Sequence, residues 1–105
     1  MRTGSVSGLL LELGFSPWHL GYRMLCQAIP RYREDRGQSI TKELYPELGQ
    51  RFGGCGGAGA ERAIRYAVAQ AWSRGRREVW EGYFPPGGKR PSNLRFIATV
   101  AEYLE

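Results

Sequence analysis

The stretch ERAIRYAVAQAWSRG, Glu61–Gly75, decides the fold class. Ile64, Ala67, Val68, Ala71 and Trp72 recur at the spacing of one face of an amphipathic helix, and Gly75 stands at its end. Glu61, Arg62, Arg65 and Tyr66 fall off that stripe, near the helix N-terminus. A helix that buries one face and offers these side chains from its first turns suits a DNA major groove. The same pattern also describes an ordinary surface helix with solvated charges, so its neighbours must decide.

Those neighbours are helical too. Ser39-Ile-Thr-Lys opens a segment in which Ile40, Leu44, Leu48 and Phe52 are spaced four apart, with Tyr45 beside them and Pro46 dividing it. The spacing predicts a first helix over 39–52, a turn over 53–58 and a second helix over 59–74, a helix-turn-helix. Its turn is longer than the usual three or four residues. Toward the N-terminus, a tail over 1–8 is expected to be flexible and to lead into a short helix near Val6–Leu13, stopped by Gly14. Ser16 and Pro17 read as the cap and first position of the next helix, which buries Leu20, Gly21, Met24, Leu25, Ala28 and Ile29. Pro30 predicts a kink or an early end. Toward the C-terminus come a brief helix over Arg76–Tyr83 and a turn at Pro85-Pro86-Gly87-Gly88. A last helix follows, capped by Ser92 or Asn93 and buried along Phe96, Ile97, Val100, Ala101 and Leu104. No run of alternating β-branched residues occurs. The fold class is all-α, in a single domain over 1–105.

Charge narrows the partner. Fifteen Lys and Arg against ten Asp and Glu leave +5, which draws a small domain toward polyanions. The cations cluster at helix ends, as Arg31/Arg33/Arg36, Arg74/Arg76/Arg77 and Lys89/Arg90/Arg95. Helix ends are common phosphate contacts, and also places where basic side chains satisfy the helix dipole without any ligand. Cys26 and Cys55 form no C-x-x-C and His19 is the only histidine, so no metal site is expected. The cysteine usage reads as reduced and cytoplasmic. Leu9–Leu13 is too short for a signal peptide or a membrane span, so no membrane partner is expected.

Two catalytic readings fail on context. Residues 54–59, Gly-Cys-Gly-Gly-Ala-Gly, formally match G-x-G-x-x-G, but a dinucleotide site needs a preceding strand, and Pro46–Phe52 reads as helix. His19 has no identifiable partner for nucleophilic chemistry, and Glu43, Glu47 and Glu61 look like solvated charges. Neither an enzyme nor a cofactor is expected.

Four blocks carry a resemblance: Ser39-Ile-Thr-Lys-x-Leu-Tyr-Pro at 39–46, Glu61-Arg62-Ala63-Ile64-Arg65, Ala71-Trp72-Ser73-Arg74-Gly75, and Pro91-Ser92-Asn93-x-x-Phe96-Ile97-Ala98. In this order and spacing they resemble the C-terminal effector domain of the stage-zero sporulation protein A family of response regulators, from about Leu9 to Leu104. The resemblance implies a compact six-helix transcription factor that binds double-stranded DNA as tandem copies and touches the RNA polymerase sigma factor. It places Glu61, Arg62, Arg65 and Tyr66 toward the groove. Ser39, Thr41 and Lys42 would approach phosphates, with Lys89, Arg90, Ser92 and Asn93 helping from the flank. Where the family has a Ser-Arg pair that reads a guanine, this sequence has Ala58-Gly59. Gly59 is therefore expected to weaken or redirect specificity, and the glycine run to leave the reading end mobile without DNA. The family carries a receiver domain ahead of the effector. Here none is expected, the chain being either a fragment or a stand-alone effector. The alternative class is a degenerate effector that lost base reading and docks proteins through Trp80, Tyr83, Phe84 and the last helix.

Overall fold

A computed structural model describes residues 5–104. Six α-helices are present among them: α1 (Val6–Glu12), α2 (Leu20–Glu34), α3 (Tyr45–Arg51), α4 (Gly56–Arg74), α5 (Arg77–Trp80) and α6 (Asn93–Glu102). A π-helical turn, Ile40–Leu44, runs directly into α3. No strand occurs among the described residues.

α4 is the central element: α2 and α3 both pack on it, and α2 also packs on α6. Its inner stripe, Ile64, Ala67, Val68 and Ala71, is buried as the periodicity requires, while Trp72 is half-buried. α2 reaches α4 closely because Gly21 lacks a side chain; a Cβ there would sit 2.2 Å from the Ala63 carbonyl oxygen. α6 closes the core with Phe96, Ile97, Val100 and Ala101. Around Trp80 gather Phe15, Trp72, Phe84 and Phe96, with ring centroids 5.1–6.4 Å away. Its indole N–H donates to the Leu13 carbonyl at 2.9 Å, tying α5 to the end of α1.

Several local expectations are corrected. Of the tail expected over 1–8, residues 1–4 lie outside the described residues. Ser5 caps α1 by accepting from the Gly8 N–H, and Val6–Gly8 form its first turn. Leu9 and Leu10, both buried, anchor that turn to the core. Ser16 and Pro17 precede a turn instead of opening α2, which begins at Leu20 after His19. α2 does not end at Pro30 but continues to Glu34. The lost hydrogen bond and ring crowding cost about 3 kcal/mol. Buried Ala28 and Ile29, and an ion pair from Arg31 to Glu47 beyond the proline, offset that cost. The brief helix expected over Arg76–Tyr83 is only the four residues of α5, continued by a turn.

The main revision concerns the glycines. α4 begins at Gly56, so the connection from α3 is Phe52–Cys55, four residues and not the longer turn expected over 53–58. Gly53, Gly54 and Gly56 have φ of +95°, +74° and +76°, a region L-residues seldom adopt. Two hydrogen bonds close the turn: the N–H groups of Gly54 and Cys55 both donate to the Gly49 carbonyl, at 2.8 and 3.1 Å. Gly49 itself lies against Gly56, where a Cβ would meet the carbonyl oxygen at 2.2 Å. Gly49→Ala is therefore expected to lower stability by about 1–3 kcal/mol through overpacking, measured by thermal unfolding. Alanine's helix propensity alone would raise it by about 1 kcal/mol, so a stabilised variant would show that α3 and α4 approach less closely.

Candidate nucleic-acid interface

Two elements position the site. The π-turn preceding α3 is held by a reciprocal cap: Ser39 Oγ accepts from the Lys42 N–H at 3.0 Å, and the Ser39 N–H donates to Glu43 Oε1 at 3.1 Å. This is a capping box with its carboxylate one residue later than usual, as the wider π-turn allows. Pro46, which cannot donate to the Lys42 carbonyl, then falls in the first turn of α3, where no donor is needed. The second element is α4. Its outward residues Arg62, Arg65 and Tyr66 are exposed, and the same face continues to Gln70, one turn further. Gln70 joins this face by its four-residue spacing from Tyr66 and eight-residue spacing from Arg62.

Between the π-turn, α4 and the start of α6 lies a cleft of about 410 Å³. It brings together Thr41, Glu61, Arg65, Arg90, Ser92 and Asn93, with Tyr45 at its base. Lys42 and Lys89 are exposed on the adjoining segments, and Ser39 lines a neighbouring cleft. Burial pushes the Tyr45 hydroxyl above its ordinary range; a hydrogen bond with Asn93 works against that shift and the Glu61 carboxylate adds to it. Tyr45 thus stays a neutral hydroxyl.

Inside the cleft the groups are already engaged with one another. Glu61 Oε1 pairs with Arg65 Nη1 at 2.6 Å, and the Arg65 guanidinium lies 5.6 Å from the centre of the Tyr66 ring. Asn93 Nδ2 donates to the Glu61 carbonyl oxygen at 3.0 Å and lies 3.5 Å from its carboxylate. Asn93 is only 8% exposed, so it braces α6 against α4. That bond occupies one of its two amide N–H groups, and its burial leaves little of the amide exposed to an outside phosphate. Ser39 and Ser92 both act as helix caps, Ser92 Oγ accepting from the Arg95 N–H at 3.2 Å. Their hydroxyl hydrogens remain able to donate. Gly59 sits half-buried in the first turns of α4, and a Cβ there would lie 2.7 Å from Cys55 Cβ.

The distribution of unpaired charge marks the face. Arg31, Arg36, Arg51 and Arg76 each face a carboxylate, while Arg23 and Arg77 lie over aromatic rings. Among the described residues Lys42, Arg62, Lys89, Arg90 and Arg95 have neither kind of partner, and all five lie on the segments around this cleft or beside it. Arg74, at the C-terminal end of α4, is likewise unpaired. Uncompensated cations on one side of a domain are the footprint of a polyanion site.

The family described as "Sporulation initiation factor Spo0A C terminal" matches residues 6–104. The chain belongs to this family. The Spo0A C-terminal domains are DNA-binding effector domains of a sporulation response regulator, which places the chain in a DNA-binding regulatory class. Among the described residues no helix is long and apolar enough to cross a membrane.

Proposed function

We propose that this Spo0A-family domain acts as a transcriptional regulator that lays the N-terminal half of α4 in the major groove of double-stranded DNA. Arg62, Arg65 and Tyr66 face the base edges, and Glu61 holds Arg65 until DNA takes its place. Thr41 and Lys42, with the hydroxyl of Ser39, meet phosphates from the π-turn; Lys89, Arg90 and Ser92 do so from the segment leading into α6. The observation that carries this reading is the outward row on α4, flanked by cations with no partner of their own. Tandem pairing on DNA and contact with the polymerase sigma factor are carried over from the family resemblance.

A purely protein-docking role would need an exposed aromatic surface around α5. Trp80 and Phe84 are instead buried, and Tyr83 packs edge-on against Tyr103. Specificity is the point at which this chain parts from the family pattern, because Gly59 offers no side chain to a guanine. Cys55 Cβ also occupies the space above it.

Selection of bound duplexes from a random pool tests the reading. A shared motif is expected, with weak preference at the base pair that an arginine at 59 would read. Recovery of unrelated sequences at the frequency of the starting pool would overturn it. Gly59→Arg with Cys55→Gly, which clears the Cβ conflict, is expected to add preference for one G·C pair, about 1–3 kcal/mol for a bidentate contact.

A further inference from the structure

We propose that the DNA footprint extends past the helix-turn-helix onto the flank of α6, where Arg95 seats a backbone phosphate. This inference rests on the DNA-binding reading above. A second cleft of about 460 Å³ lies beside the first and shares Thr41 and Leu94 with it. Leu94 is 47% exposed, an unusual position for a leucine, and forms the ridge between the two. Arg90 lines one cleft and Arg95 the other, so the two cations stand on opposite sides of that ridge.

The charges around the second cleft favour an anion. Its Arg36 is neutralised by Glu102, which leaves Arg95 as its uncompensated cation among the described residues. Gln38 and the Ser39 hydroxyl add neutral donors in the same cleft. Continuity identifies which anion. A DNA strand carries one phosphate per about 3.4 Å of helix axis. A strand engaged at Thr41 and Arg90 therefore brings further phosphates over the Leu94 ridge toward Arg95. The Leu94 side chain has no polar atom and lies against the sugar edge, between two phosphate contacts.

The test compares wild type, Arg95→Gln and Arg76→Gln on a duplex recovered from the random pool, with affinity measured over a series of salt concentrations. Arg76 is exposed and already faces Glu78, so its variant is the control. Arg95→Gln is expected to flatten the plot of log affinity against log salt by about 0.9, one released counterion. Its sequence preference stays that of wild type, and Arg76→Gln leaves the slope unchanged. On a duplex shortened on the α6 side, Arg95→Gln and wild type should become equal. An unchanged slope for Arg95→Gln, in a protein whose binding still depends on Arg62, would overturn the extended footprint alone. Equal slope losses for Arg95→Gln and Arg76→Gln would also overturn it, since they reflect net charge. Absence of DNA binding by wild type would bring down the functional reading and this inference with it.

Discussion

Arg62→Ala combined with Arg65→Ala is expected to cost about 30-fold or more in DNA affinity, at about 1–3 kcal/mol for each reading side chain. The two arginines act differently. Arg62 is exposed and makes no ion pair, so its charge is available to an incoming polyanion. Arg65 must first exchange the Glu61 carboxylate for a base or phosphate. Its removal therefore has a second consequence: Glu61 loses its cation on the face proposed to meet the duplex. Arg65→Ala should for this reason lose more than the contact itself, and Glu61→Gln in the same background should recover part of the loss. Arginine and alanine are both good helix formers, so α4 should remain intact and far-ultraviolet circular dichroism unchanged. The salt dependence of the double variant should also flatten. Undiminished binding at moderate salt would remove α4 as the reading helix.

The largest expected effect on stability is at Trp80. Trp80→Ala removes a side chain that is 1% exposed and touched by four other aromatic rings. It also strips the Leu13 carbonyl of its indole donor. Large aromatic truncations cost about 3–5 kcal/mol, against a total stability of about 5–15 kcal/mol for a domain. At about 4–8 °C per kcal/mol for a domain of this size, the midpoint should fall by some 12 °C or more. Trp80→Phe keeps most of the ring packing and loses the hydrogen bond, so it separates the two contributions. A midpoint close to wild type for Trp80→Ala would show that α5 is not part of the core. DNA binding by Trp80→Ala, measured well below its midpoint, should stay near wild type, because α5 lies outside the proposed reading face.

Much of this architecture is legible in the sequence because helical periodicity is local. Ile64, Ala67, Val68 and Ala71 are inward and Arg62, Arg65 and Tyr66 outward, as their spacing alone requires. Phe96, Ile97, Val100 and Ala101 behave the same way on α6. Where local signals failed, a distant contact had overruled them. Pro30 lies within a helix that buried packing and an ion pair to Glu47 sustain. Gly56 and Gly57 look like loop residues, yet they belong to α4 because Gly49 lets the two helices meet. Asn93 reads as a cap or turn residue, yet it is buried and one of its amide N–H groups braces α6 through the Glu61 carbonyl.

The sequence by itself determined the all-helical class, the inner and outer faces of α4 and α6, and the four blocks that carry the family resemblance. Tertiary structure decided how α3 passes into α4, which of the polar residues remain free, and that Thr41, Glu61 and Arg90 share one cleft. The physical reason is range. Burial pattern repeats every few residues and is written in any short window. The Asn93–Glu61 bond spans 32 residues and the Trp80–Leu13 bond 67, and contacts of that span exist only once the helices have packed.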